Sequence, residues 1–364
     1  MKGQSTNTIK IAIAGSSQNS LTCAQTIAAD KRFQISWTLT PQPKAIGRKQ
    51  KIVKNPLQNF AEEKNIPVIN VVKKIDQELK TKIQKQCLVA KKKNKKLSSA
   101  TLKDKIFSSH SSELDLLLVV DFGYLIPNWL LELPKIAPLN IHPSDLPKWR
   151  GSSPGQFVLL TAEKQSAICL IKMNEQLDQG PIIYKKTFTV QKNWTQTEYY
   201  QAAFKLINQN LAQVIFDFSK QKIKAQAQPT NSPTPIARRL TKDDSFISWE
   251  KLKIYLAKTK PSFLSKEKIK IDQIKELNLS RQKRKMPLLK TWLQKNPSLE
   301  IIEQACRAFQ PWPVLWTIIP TTKGPKRMKI WQCHCKEETL VLDEVQIEGK
   351  NKASWHEVKN VLRD

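Results

Sequence analysis

The sequence predicts a doubly wound α/β domain with a mostly parallel sheet, followed by a smaller, partly β domain. Three observations carry that expectation. Helix-length and strand-length segments alternate through the first 220 residues, which is the order a parallel sheet requires. The first strand candidate, IKIAIAG (9–15), is a short apolar run closed by a glycine, as expected of a strand covered on both faces. Around residues 225–235 the chain becomes AQAQPTNSPTP, whose prolines and small polar residues mark a boundary between domains.

The elements follow in order. FQISWTL (33–39) reads as a strand, PLQNFAEEK (56–64) as a helix and IPVI (66–69) as a strand. LDLLLVV (114–120) and APLNIH (137–142) are strands on either side of the helical PNWLLEL (127–133). AICLIKM (167–173) is a further strand, ending in the turn LDQGP (177–181). From about 195 to 219 a single long helix is expected. Beyond the linker, KRMKIWQC (326–333) and ETLVLDEVQI (338–347) are short strands. The expected domains are 1–222, a linker at 223–236, and 237–364.

Composition narrows the function. No apolar run approaches the roughly 18 residues of a membrane span. The first residues, MKGQSTNTIK, lack the apolar centre of a secretory signal, so a cytoplasmic protein is expected. The turn after the first strand is GSSQNS and not G-x-G-x-x-G, which disfavours a nicotinamide or flavin dinucleotide. Six cysteines are scattered without a disulfide framework. Cys333-His334-Cys335 has no second ligand pair to complete a zinc site, so strand thiols and no metal are expected.

The net charge is +30, with 51 lysines against 10 arginines. Residues 80–105 hold ten lysines against Asp104, and 251–297 hold fourteen Lys or Arg against three acids; both read as basic insertions. A polyanionic partner would explain them, since neutralised phosphates release counterions. Lysine used as cheap surface filler is the alternative, and charge alone favours nucleic acid only modestly.

The chemistry concentrates in LNIHPSDLPKWRGSSP (139–154). Asn140 and His142 lie two apart at the end of a strand, so their side chains share a face. In open α/β sheets, ligands bind at the carboxyl ends of strands. Pro143 and Pro147 stiffen the loop that presents Lys148, Trp149 and Arg150. Asp178, in the later turn, supplies a carboxylate. An amide, an imidazole and a carboxylate suit acyl transfer to an amine, as oxyanion donor, second donor or proton relay, and orienting base. Spacing alone leaves a blander alternative open, in which Asn140 and Asp178 are local turn hydrogen-bonders and His142 a core histidine.

N-I-H-P-S-x-L-P-K-W-R-G followed by M-x-x-x-L-D-x-G-P resembles the folate-dependent formyltransferases. The resemblance implies a Rossmann-like formyltransferase fold with Asn140, His142 and Asp178 as the catalytic trio. It also implies 10-formyltetrahydrofolate as co-substrate. VVDFGYLIP (119–127) resembles the segment lining the family's folate pocket. Folate contacts are therefore expected at Phe122, Gly123, Tyr124 and Leu125, at Ser144, Leu146 and Pro147, and at Asp178.

TPQPKAIGRKQK (40–51) resembles the acceptor-stem loop of the branch acting on initiator tRNA. ISWE (247–250) and ACRAFQPWPVLW (305–316) resemble that branch's OB-like C-terminal domain, here short enough to be incomplete. The resemblance implies tRNA contacts at Arg48, Lys49, Lys51, Lys148 and Arg150. It implies formyl transfer to the α-amino group of methionyl-initiator tRNA by a monomer in translation initiation. The alternatives are a formyltransferase acting on a nucleotide-sugar amine, or a catalytically weak tRNA-binding homologue. The chain departs from the family at GSSQNS, where G-T-P-x-F-A is usual, and at Asp145 in SDLP, where S-L-L-P is usual.

Overall fold

In the computed structural model, residues 8–46, 50–92, 114–256, 288–295 and 298–361 are described. They form two compact units. The first comprises residues 1–143, 168–186 and 203–230, and the second 144–167, 187–202 and 231–364.

The first unit is built on a sheet that starts with β1 (Ile9–Gly15), whose residues are nearly all buried. Helix α1 (Gln18–Ala28) begins at Ser17, whose hydroxyl accepts from the Ser20 N–H in a capping box. β2 (Phe33–Pro41) follows, then a two-stranded hairpin of β3 (Lys44–Ile46) and β4 (Lys51–Val53). Asn55 caps α2 (Pro56–Glu63), and Pro56 sits in its first turn, where the missing N–H costs nothing. β5 (Val68–Val71) and α3 (Gln77–Lys92) complete this half. The other half runs through β6 (Leu116–Val120), α4 (Asn128–Leu131) and β7 (Ala137–His142).

Helix α5 (Pro154–Leu160) precedes the edge strands β8 (Gln165–Lys172) and β9 (Ile182–Thr189). The sheet order is β5-β2-β1-β6-β7-β8-β9. β1 pairs in parallel with both β2 and β6, and β6 with β7, while β8 runs antiparallel to β7. Strand succession goes outward from β1 on one side and from β6 on the other. The β1/β6 boundary is therefore the topological switch point at which such sheets open a crevice. The expected doubly wound, mostly parallel sheet is present.

The single helix expected to 219 is two helices, α6 (Gln196–Asn208) and α7 (Leu211–Ser219). Asn210 departs from helical geometry, with φ −127° and ψ −1°, and takes the N-cap position of α7. The apolar pattern continues across the break and hides it.

The second unit has its own core. Helices α8 (Trp249–Leu256), α9 (Leu288–Lys295) and α10 (Leu299–Ala308) contribute Leu252, Tyr255, Leu289, Trp292 and Ile302 to it, and Phe309 joins them just past α10. Strands β10 (Leu315–Ile319), β11 (Lys326–Lys336), β12 (Thr339–Ile347) and β13 (Lys352–Ser354) form an antiparallel four-stranded sheet in that order, and α11 (Trp355–Val358) follows. Both ends of the lysine-rich stretch 251–297 thus carry core side chains.

Candidate active site

Strands β6 and β7 end side by side at the carboxyl edge of the first unit's sheet, and β8, antiparallel to β7, runs back from that edge. The β6/β7 ladder pairs Val119 with Asn140, and the β7/β8 ladder pairs Asn140 with Ile171 and His142 with Cys169. Beyond β8 the chain turns through Asp178 and returns. Lys172 donates its N–H to the Pro181 carbonyl at 2.9 Å, and Met173 to Pro138 at 2.8 Å. Gly180 is required in this turn, because an added Cβ would lie 1.8 Å from the Lys172 carbonyl oxygen.

The turn brings Asp178 to the two strand-end side chains. Asn140 Nδ2 donates to Asp178 Oδ1 at 3.4 Å, and His142 Nδ1 lies 3.6 Å from Asp178 Oδ2. His142 is 4% exposed. The carboxylate thus touches amide and imidazole together. Asp178 has φ +53°, in the left-handed region that L-residues seldom adopt. Gln228 fixes the turn from outside, its Nε2 donating to the Asp178 carbonyl at 3.0 Å and to the Gly180 carbonyl at 2.7 Å. Gln228 lies in the segment expected to be linker, and nothing in its sequence context signals the role.

Residues 121–125 leave the same edge. The Phe122 and Tyr124 rings pack tilted at 45° with centroids 5.3 Å apart, and rest partly on the core beside Ile126, Trp129 and Met173. Leu125 is 88% exposed, and a Cβ on Gly123 would meet nothing within 4 Å.

Asp121, the acidic residue within VVDFGYLIP and not among the expected contacts, belongs to this edge as well. Its Oδ2 accepts from Ser17 Oγ and from Asn19 Nδ2, both at 2.8 Å. Although solvent-accessible, it is densely surrounded by protein, which pushes its carboxyl above the usual range; Asn19, Ser17 and nearby His142 pull the other way.

The other expected site residues divide between the units. Lys51 is exposed on the β3/β4 hairpin of the first unit, while Arg48 and Lys49 lie outside the described residues. Ser144, Leu146 and Pro147 belong to the second unit, where the Ser144 hydroxyl donates to the Lys148 carbonyl at 2.7 Å. Lys148 Nζ sits 3.3 Å from Glu163, and Arg150 is 5% exposed.

Another surface of the second unit bears charge and aromatic rings. Arg327, Lys329 and Trp331 alternate on β11 with the buried Met328 and Ile330, so they share the outer face of the sheet. The registers place Trp316, Lys329, Gln346 and Lys352 in one row across four strands. Arg327 lies 4.9 Å from the Trp316 ring centre, and Lys352 and Lys329 lie 3.7 and 5.7 Å from that of Trp331. On the opposite face, Cys333 is buried and Cys335 half-buried against α10. Among the described residues no group of three His, Cys, Asp or Glu side chains is arranged to hold a metal.

Comparison with known proteins fits this geometry. The structure of the N-formyltransferase from Helicobacter canadensis, in complex with folinic acid and dTDP-3-aminofucose, matches with a TM-score of 0.52 at 16% identity. That match covers 91% of this chain and 89% of the other, and it establishes the fold. Methionyl-tRNA formyltransferase of Rickettsia africae (strain ESF-5) is 28% identical over 217 residues, 59% of this chain and 62% of the relative. The protein of that name from Clostridioides difficile (strain 630) is 30% identical over 190 residues, covering 52% of this chain and 53% of the relative. The matched stretches thus span between half and two thirds of these relatives. The formyl transferase family pattern matches residues 9–215, which include Asn140, His142 and Asp178, and the chain belongs to that family.

Proposed function

We propose that the protein transfers the formyl group of 10-formyltetrahydrofolate to the α-amino group of methionyl-initiator tRNA. The observation that carries the reading is the contact of Asp178, in the turn after β8, with both Asn140 and His142 on β7. The amide of Asn140 has two N–H donors, one directed to Asp178 and the other available to an oxyanion forming on the formyl oxygen. Asp178 steadies His142 through Nδ1, and the imidazole exchanges a proton with the reacting groups. The new N–C bond forms as the bond from formyl carbon to N10 breaks. The proton lost by the amine is relayed to N10 through Asp178 and His142. Phe122, Tyr124 and Leu125 supply apolar contact for the folate, and Gly123 keeps the backbone open beside it.

The choice of acceptor draws support from charge. A net +30 and an outer sheet face of Arg327, Lys329, Lys352, Trp316 and Trp331 suit a phosphate backbone with unpaired bases, because basic groups bind the former and rings stack on the latter. The names carried by the Rickettsia and Clostridioides relatives agree with this acceptor.

The test is formylation of methionyl-initiator tRNA from 10-formyltetrahydrofolate, run beside dTDP-linked amino sugars and repeated with Asp178→Asn. Formyl-methionyl-tRNA from wild type and near loss in the variant is the expected result. Transfer to the amino sugar alone would reassign the acceptor. Folate binding without transfer to any amine would leave a tRNA-binding homologue.

A further inference from the structure

The proposed reaction must dispose of two protons, and Asp178 and His142 account for one. An α-amino group, with a pKa of about 7.7–8.0, reaches the site largely as an ammonium ion below neutrality. It must lose one proton before its lone pair can attack and a second afterwards. The second passes to N10 through His142. The first has no recipient among Asn140, His142 and Asp178.

Asp121 has the position and chemistry of that recipient. It follows β6 at the β1/β6 switch point, where the ladders pair Gly15 with Val120 and Val119 with Asn140. Asp121 directly follows the last residue of β6, near enough to His142 for the imidazole to act on its charge. Its φ of +47° is left-handed, like that of Asp178, so both aspartates of this edge hold a backbone conformation that L-residues seldom adopt. Ser17 and Asn19 both donate to Oδ2, and among the described residues Oδ1 accepts no hydrogen bond. One oxygen is clamped by the start of α1 and the other is available to a ligand.

We propose that Asp121 is a catalytic residue that receives the acceptor's ammonium group and takes its first proton, delivering a neutral amine to the formyl carbon. This rests on the formyl-transfer reading above. The step balances: R–NH3+ and the Asp121 carboxylate become R–NH2 and a carboxylic acid, which later loses its proton to solvent. The ionisable groups around Asp121 are compatible. Cys23 on α1 is buried, which pushes its thiol far up and keeps it neutral. His142 on β7 favours the charged carboxylate, and the crowding that raises Asp121 makes it a better proton acceptor than a carboxylate without it. Asp178 contacts the same His142.

The experiment is a pH series of kcat/KM for methionyl-initiator tRNA, from pH 5.5 to 8.5, with wild type, Asp121→Asn and Asp121→Ala. Binding of 5-formyltetrahydrofolate and thermal melting check that each variant is folded. Asp121→Asn keeps an acceptor for Ser17 and Asn19 but cannot take a proton. Its deficit should be about tenfold or more at pH 5.5 and shrink to about twofold at pH 8.5, where the amine is already neutral. Asp121→Ala should show the same convergence. A deficit of constant factor at every pH, or none, overturns the assignment while leaving formyl transfer intact. Absence of formylation by wild type with any amine overturns both readings.

Discussion

Asn140, His142 and Asp178 make separable demands on the site. Removing one preorganised oxyanion donor costs on the order of 10²–10³ in turnover, so Asn140→Ala should fall by that factor. The same variant also removes the Asn140 hydrogen bond to Asp178 Oδ1. Binding of the folate should change little, because the apolar side chains at 122–125 are untouched. Measured kcat within tenfold of wild type, in a folded protein, would remove Asn140 from the oxyanion role. The turn behind Asp178 is as demanding as the trio. In Gly180→Ala the new methyl would lie 1.8 Å from the Lys172 oxygen, so the turn must move and take Asp178 with it. Lower melting temperature together with at least about a tenfold loss of kcat/KM is expected, since small misplacements at a reacting centre are costly. Unchanged kinetics would mean that the site tolerates displacement of its carboxylate.

At the scale of elements, the second unit depends on one buried carboxylate between Leu240 and α8. Asp244 receives Arg238 through Nη1 at 2.8 Å and Nη2 at 2.6 Å, the Thr241 N–H at 2.7 Å and the Leu288 N–H at 3.0 Å. Burial opposes its ionisation. The hydrogen bonds and charge of Arg238, with the Thr241 and Leu288 N–H groups, outweigh that and hold the carboxyl below the usual range. A depressed folded-state pKa contributes stability above the unfolded-state value near 4 and loses it as pH falls through the folded-state value. Asp244→Ala should therefore cost about 3 kcal/mol near neutrality and less below pH 4, as followed by urea unfolding at several pH values. An Asp244→Ala penalty independent of pH would show that packing, not ionisation, carries the contribution.

Elements also show how much was legible in the sequence. Strand period put Asn140 and His142 on one face, and their shared contact with Asp178 follows from that face. Asp121 and Gln228 were illegible, because their partners lie about 100 and 50 residues away in the chain. Around residues 288–293 the density of lysine masks a helix. The apolar Leu288, Leu289, Trp292 and Leu293, at helical spacing, are the stronger signal, and they are buried in the core.

Over the whole molecule, charge is the dominant property, and its effect on RNA affinity can be apportioned. Ten Lys or Arg residues lie between 258 and 285, and three more, Arg327, Lys329 and Lys352, share the outer face of the C-terminal sheet. Log affinity for tRNA should fall linearly with log salt, and each phosphate left without its cation should flatten that line by about 0.7–0.9. Arg327→Ala, Lys329→Ala and Lys352→Ala combined should flatten it by about 2 and also weaken binding at high salt. The second effect is expected because Lys352 and Lys329 lie against Trp331, and Arg327 against Trp316, so the rings lose a packing partner. Neutralising the ten residues at 258–285 should change the slope alone. Filter binding across a salt series, with formylation measured at saturating tRNA, separates the cases. Equal slopes for wild type and both variants would mean that this charge serves solubility and not RNA, and the acceptor would have to be sought among small amines.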